Sequence, residues 1–452
     1  MSDTNGRRER GSAANHPGAA MKNGQRPITR TGGRDATTRH IPGDNALAVG
    51  MPTRPAPEGW RWTALTDLAR LESGHTPSRK HPEYWNGDIP WITLTDARPN
   101  HGSVIADTAE HTNDLGIANS SARVLPKDTV CLSRTASVGY IVVMGRDMAT
   151  SQDFVNWVCS NRLDPNFLKY LLLAESQAFR RFSSGAVHQT IYFPEVKAFH
   201  VCHPALEEQR RIVGILDEAF AGIATAKANA EKNLQNARAL FESHLHAVFE
   251  EAWKFSELVT LSELATDISD GDHLPPPKSP TGVPFITIGN IEKDTRTIDF
   301  ADTFMVPHAY FDALKPNKKP KKGDVLYTVT GSFGIPVIVR DDIRFCFQRH
   351  IGLIRPKPET SSDWLYYLLL SPQIFKQADE GATGTAQKTV SLKVLRGFKV
   401  PRVACPVQRQ SAAKLDALSE ETQRLESLYQ RKLAALDELK KSLLHRAFSG
   451  RL

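Results

Sequence analysis

The stretch LEEQRRIVGILDEAFAGIATAKANAEKNLQNARALFESHLHAVFEE, residues 206–251, contains no proline, and its apolar residues recur at 212, 216, 219, 223, 226, 230, 234, 237, 241, 245 and 248. Steps of three and four mark one face of an α-helix, whereas a strand alternates every second residue. At ~1.5 Å per residue the run predicts a helix of roughly 60 Å. A helix that long with one narrow apolar seam needs another helix to cover it. A second such run passes through Leu415, Leu418, Leu425, Leu428, Ala435, Leu439 and Leu443. We therefore expect the two helices to pack as an antiparallel coiled coil, with Ala219, Ala226, Ala230 and Ala237 letting the axes approach closely. The competing arrangement lays each helix on its own globular domain.

The two helices belong to an internal repeat, visible when the second half of the chain is laid on the first. Leu65, Leu68 and Ala69 fall on Leu261, Leu264 and Ala265, and IPWITL (89–94) falls on VPFITI (283–288). Further on, ASVG (136–139) falls on GSFG (331–334), Gln152 on Gln348, Gly185 on Gly384, Thr190 on Thr389, Gln209 on Gln408 and Asp217 on Asp416. The offset drifts from about 195 to 199, as loop insertions in a duplicated unit would produce. Each repeat opens with short β-rich runs punctuated by Pro and Gly, plus one helical stretch, which together predict a mixed α+β domain. The expected organisation is a basic tail without a core at 1–55, a first α+β domain at 56–204, a long helix at 205–255, a second α+β domain at 256–403 and a second long helix at 404–452.

Of 452 residues, 40% are hydrophobic and 24% charged, an ordinary globular composition. No apolar run approaches the roughly 20 residues that cross a bilayer, and no apolar segment follows the N-terminal arginines, so we expect a cytoplasmic protein without membrane contact. The five cysteines are scattered with no CxxC pair, which predicts reduced and mostly buried thiols. Net charge is +7, but residues 1–55 carry nine Lys or Arg against Asp3, Glu9, Asp35 and Asp44, which leaves only +2 for the rest. With no aromatic residue and no periodicity, that tail is expected to be disordered, and a chain beginning at Met51 is expected to assemble normally.

Two α+β domains, each followed by a long helix that opens on a motif such as LEEQRRIVGILD (206–217), resemble the specificity subunit of type I restriction-modification systems. In that family a P-L-x-E-Q-x-x-I-V-x-x-L-D junction opens each helix. The first copy is nearly whole, with Pro204 displaced by one residue, and the second, CPVQRQSAAKLDAL (405–418), is degenerate but retains Gln408 and Asp416. DIPWITLTD (88–96), TASVG (135–139), TGSFG (330–334) and LLHRAFSGRL (443–452) are further family-like stretches. The resemblance covers about residues 58–452. It implies a non-catalytic scaffold whose two domains each read one half of a split duplex-DNA target. The helices would set their separation and hold two copies of a methyltransferase subunit, with ATP-dependent restriction subunits joining through the complex. Candidate partner contacts are Gln209, Ile212, Ile215, Leu425 and Leu428.

Independent signs of chemistry are missing. LPPPKSP (274–280) lacks the leading acid or amide and the aromatic of an adenine methyltransferase site, and GATGTAQKT (381–389) lacks the Gly-Lys step of a phosphate loop. HVCH (200–203) on a strand would point its His and Cys side chains to different faces. We expect no catalytic residue, no metal and no cofactor. Reading bases requires paired donors and acceptors on loops. Three stretches per repeat qualify: 75–87, 133–137 and 183–189 in the first, and 270–278, 328–332 with 348–350, and 384–388 in the second. The candidate DNA contacts are Arg79, Lys80, Arg134, Ser137, His188 and Gln189, and then His273, Lys278, Thr330, Ser332, Arg349, Gln387 and Lys388. Arg134 and Arg349 stand out as cations in otherwise strand-like segments. The alternative function is a duplicated coiled-coil scaffold without DNA binding.

Overall fold

Residues 40–452, apart from 186–188, 274–275 and 385–386, are described by a computed structural model. The chain runs through β1 (Ile41–Pro42), β2 (Leu47–Val49), β3 (Arg61–Ala64), β4 (Ala69–Ser73), β5 (Trp85–Ile92), β6 (Val104–Ile105), β7 (His111–Thr112), β8 (Val130–Ser133), β9 (Ile141–Met144), β10 (Ala149–Thr150) and β11 (Phe154–Cys159). Helix α1 (Pro165–Ala174), β12 (Phe199–His203) and the 50-residue helix α2 (Leu206–Phe255) follow. The second repeat supplies β13 (Leu258–Thr260), β14 (Ala265–Asp270), β15 (Val283–Ile286), β16 (Phe304–Val306), β17 (Val325–Thr328), β18 (Pro336–Ile338), β19 (Cys346–Phe347), β20 (Ile351–Pro356), α3 (Ser362–Leu370), β21 (Lys399–Pro401) and α4 (Cys405–Phe448).

The duplication reappears in the sheets. The order β4-β11-β8-β9 in the first repeat is matched by β14-β20-β17-β18 in the second, and β10-β5-β7 by β19-β15-β16. In both small sheets the pairing that involves the IPWI or VPFI strand is parallel on one side and antiparallel on the other. These antiparallel main sheets carry apolar residues on both faces, so helices must cover them. In the first repeat Trp157, Phe154 and Phe167 are fully buried; in the second, Tyr327, Trp364 and Leu368 are. Each such side chain contributes roughly 1.5–3 kcal/mol by leaving water.

A buried glutamine fixes where each domain ends and its long helix begins. Gln209 Oε1 accepts from the Asp164 amide (2.9 Å), and its Nε2 donates to the carbonyls of Pro204 (3.1 Å) and Arg162 (3.1 Å). Asp164 in turn caps α1, its carboxylate accepting from the amides of Asn166 and Phe167. Gln408 repeats two of these bonds, accepting from the Ser361 amide (2.8 Å) and donating to the Val403 carbonyl (2.8 Å), and Ser361 caps α3. Gln209 is therefore no partner contact as expected from sequence: it is fully buried and spends its amide on its own chain. Ile212 is likewise 1% exposed; Ile215 and Leu425 are half-buried, and only Leu428 is well exposed.

Residues 40–50 also depart from expectation. The sequence reading assigns them to the tail, yet β2 pairs with β12, and Ala46, Leu47, Ala48 and Val49 are buried. Four apolar residues are too few to announce a strand by periodicity. What holds them is tertiary: the buried Glu175 carboxylate accepts from the amides of Asp44 (2.6 Å), Asn45 (2.7 Å), Ala46 (2.6 Å) and Leu47 (3.2 Å). Burial raises the Glu175 pKa, and the amides of Asp44, Asn45 and Ala46 offset only part of that shift. A chain beginning at Met51 would lack both β1 and β2, so the expectation that it assembles normally does not hold for this first sheet. Residues 1–39 lie outside the described residues.

By contacts the chain forms two units: residues through Leu216 together with Leu443–Leu452, and Asp217–Ser442. In the first, the C-terminal segment returns to its own unit, with Phe448 against Phe167 (ring centroids 5.2 Å) and His445 bonded to Asn45 (2.6 Å). In the second, α2 and α4 are joined by Lys227–Asp437 (2.6 Å) and Arg238–Glu426 (3.0 Å). As one residue number rises the other falls by the same amount, so the helices run antiparallel. Ile223, Ala230 and Ala237 of the predicted seam are buried, spaced one heptad apart.

Glu175→Ala should release the N-terminal strands selectively. We expect amide exchange at residues 44–49 to accelerate at least about tenfold, while β8 and β11 stay protected. Unchanged protection at Leu47–Val49 would mean that strand pairing alone holds the segment.

Candidate nucleic-acid interface

Each unit builds the same turn at the same end of its main sheet. At the end of β8 the Ser133 hydroxyl donates to the Ser137 carbonyl (2.6 Å) and accepts from the Tyr140 amide (2.8 Å). At the end of β17 the Thr328 hydroxyl donates to the Ser332 carbonyl (2.8 Å) and accepts from the Ile335 amide (3.0 Å). The turns demand positive φ at Ala136 (60°) and Gly139 (104°), and at Gly331 (69°) and Gly334 (94°). Glycine takes that conformation freely; at Ala136 it costs about 1–2 kcal/mol.

The other loops are tied to this turn. In the first unit the Ile191 amide donates to the Arg134 carbonyl (2.8 Å), Thr135 and Thr190 share a hydroxyl bond (3.0 Å), and the Arg134 amide donates to the Asp153 carbonyl (2.7 Å). His75 joins through its amide to Thr150 (2.9 Å). In the second unit Val390 donates to Val329 (2.8 Å), Gly331 to Lys388 (3.0 Å), Val329 to His350 (2.9 Å) and Arg349 to Asp272 (3.2 Å). All three stretches picked from the sequence thus meet within each unit.

The candidate side chains differ in what they can offer. Arg134 is half-buried, its guanidinium 4.7 Å over the Phe193 ring, and its Nε is buried without a hydrogen-bond partner. Burial pushes its pKa below the ordinary arginine value, and the Asp153 charge opposes that shift. A planar fork stacked in this way is oriented before any acceptor arrives. Arg349 is exposed, with Nε 3.4 Å from His350 Nε2, and burial together with Arg349 lowers the His350 pKa, so that ring stays neutral at pH 7. Lys80, Lys278 and Gln387 are exposed, and Lys278 lies over the Phe304 ring (5.1 Å).

Others are engaged within the chain. Arg79 forms a two-bond pair with Glu110 and lies 4.2 Å over Trp85; the pairing holds the Glu110 carboxyl below its usual range. Lys388 pairs with Asp379 (2.5 Å) and His273 with Asp270 (2.8 Å). Gln189 donates to Gly185 (3.1 Å), and Ser137 and Ser332 contribute carbonyls to the turns. Thr330 is 5% exposed and bonded towards Thr389 (3.5 Å), so it shapes the turn and does not face an incoming ligand as expected. His188 lies outside the described residues. Sequence reasoning missed Phe193 and the Thr190–Thr389 pair as framework; the repeat alignment of Thr190 on Thr389 was the available signal for the latter.

Residues 57–235 and 250–433 match the family model described as the type I restriction modification DNA specificity domain. The type I restriction enzyme MjaIX specificity subunit of Methanocaldococcus jannaschii is 28% identical over 217 residues, 48% of this chain and 50% of that protein, so the chain spans about half the length of that curated relative. A solved chain from the structural basis of complex assembly and conformational transition of the type I R-M system has a TM-score of 0.70 at 20% identity, covering 88% of this chain and 100% of the other. The HsdS subunit from Thermoanaerobacter tengcongensis has a TM-score of 0.58 at 20% identity, covering 88% and 99%.

Arg134→Ala should weaken binding to duplex DNA by about 1–3 kcal/mol on sequences that carry the matching base and by much less on others. Arg349→Ala is the equivalent test in the second unit. A uniform loss on all sequences, with a shallower salt dependence, would reassign either side chain to a phosphate contact.

Proposed function

Because the chain belongs to the family of type I restriction modification DNA specificity proteins, we propose that it is the sequence-reading subunit of a type I restriction-modification complex. The observation that carries this reading is the double occurrence of one loop cluster. Two copies of a fold, each gathering cationic and amide side chains from three separated stretches at one sheet end, suit a target read in two halves. The Arg134 stretch and the Arg349 stretch would each enter a major groove, where paired donors distinguish base edges.

In this reading the chain performs no bond-breaking step. Methylation of adenine and ATP-driven cleavage belong to other subunits, of which two methyltransferase copies are held on α2 and α4. The exposed Leu428 and the half-buried Ile215 and Leu425 are the contacts that remain open to them. Among the described residues no helix is long and apolar enough to cross a membrane, and the complex would act on DNA in the cytoplasm.

Exchanging residues 56–204 for the corresponding part of a relative should change one half of the methylated motif and leave the other intact. Methylome sequencing of cells carrying the hybrid reads this directly. A change in both halves would mean that the two units read DNA jointly. A chain that neither directs methylation nor binds duplex DNA in a salt-sensitive manner would return the protein to the scaffold reading.

A further inference from the structure

The two main sheets differ at one edge. In the first unit β9 is not the last strand: β6 lies beside it in parallel, with Val104 opposite Val143 and Ile105 opposite Met144. The Val143 amide donates to Ser103 (3.1 Å) and the Gly145 amide to Ile105 (2.7 Å), so the edge is hydrogen-bonded by the chain's own segment. In the second unit the sheet stops at β18. The alternation along β18 is fixed by the bonds of Val339 to Asp324 (2.9 Å) and Thr328 to Ile335 (3.1 Å), which face β17. Ile338 therefore turns its amide and carbonyl outward, where among the described residues no strand pairs with them.

The segment that should close this edge is present but diverted. Ile105-Ala-Asp-Thr of the first repeat corresponds to Phe300-Ala-Asp-Thr of the second, and the capping pairs Thr93/Asp96 and Thr287/Asn290 correspond as well. Between those landmarks the second repeat is one residue longer. The extra length is taken up by a hairpin in which Glu292 and Thr297 pair (3.0 Å), Ile291 bridges Ile298, and Arg296 adopts φ 53°. The segment thus bonds to itself, and a cavity of about 670 Å³ remains along β18, lined by Arg296, Ile298, Ile338, Tyr366, Asp416 and Glu420 among others.

We propose that the open edge of β18 receives one extended segment of the methyltransferase subunit, which adds to the sheet as a strand; this rests on the functional reading above. The first unit shows the fit, since Val104–Ile105 occupies the equivalent edge. The cavity walls favour an isolated extended segment over a second copy of this chain, because the 292–297 hairpin and the α4 residues Asp416 and Glu420 flank the edge and would block a folded sheet. The same α4 wall belongs to the helix assigned to holding that subunit. Main-chain bonds would supply the affinity and the cavity the side-chain selectivity. Because among the described residues the second unit has the opening and β6 closes the first, one strand is taken up per chain.

Hydrogen exchange of the full-length chain, alone and with the co-expressed methyltransferase subunit, tests this. We expect exchange in the peptide spanning Pro336–Arg340 to slow at least about tenfold in the complex, while β9 is unchanged. Ile338→Pro removes the outward amide, leaves the bonds to β17 in place and is a substitution edge strands tolerate. It should weaken uptake of one methyltransferase copy about tenfold or more, whereas Ile338→Ala keeps uptake and both variants keep DNA binding. A complex that forms with unchanged exchange at β18, or an Ile338→Pro chain that binds both copies normally, overturns the inference and leaves the functional reading standing. No complex at all would overturn the functional reading itself.

Discussion

A glutamine buried where each domain meets its long helix is the constraint on which the rest of the architecture depends. Gln209 and Gln408 each bind the capped start of the helix that covers the main sheet and the carbonyl that precedes the long helix. One side chain thereby locks three chain segments, and no apolar replacement could satisfy the amide and carbonyls left behind; an unsatisfied group of that kind costs about 1–3 kcal/mol. The second junction has drifted so far that its motif is hard to read, yet its glutamine remains and keeps the bonds to the cap and to the carbonyl before the long helix. The chemistry of the junction is thus retained in both copies although the surrounding letters differ.

On this common frame the two units have diverged by local means. The first gains two N-terminal strands through four backbone amides directed at one buried carboxylate, Glu175. Among the described residues the second has no counterpart and keeps the β13–β21 pair. The second also diverts the segment that would close its sheet, by a single added residue. Neither change disturbs the turn after β8 or β17, where the hydroxyl of Ser133 or Thr328 organises the same geometry. The turn-bearing end of each main sheet is therefore insulated from variation at its edges.

Among the candidate contacts, the same insulation separates framework from surface. Thr330 is held in the turn, while Arg79, Lys388 and His273 are paired with carboxylates of their own unit. Arg134 differs: it is stacked on an aromatic ring and its buried Nε lacks an acceptor. A cation already neutralised must exchange one partner for another on binding, whereas the stacked Arg134 guanidinium is oriented in advance by the Phe193 ring.

The sequence by itself determined the duplication, the two long helices, the α+β character of each repeat and the three loop stretches that meet at the sheet end. Those features rest on periodicity, glycine and proline placement and internal alignment, which are local or self-referential signals. Only the tertiary structure decided that residues 40–50 fold, because their stability comes from a carboxylate about 130 residues away in sequence. It also decided that Gln209 faces inward, that Thr330 is framework, and that one sheet edge is closed and its duplicate open. Each of these is settled by which distant group supplies a hydrogen bond, and a hydrogen bond between distant residues leaves no period in the chain.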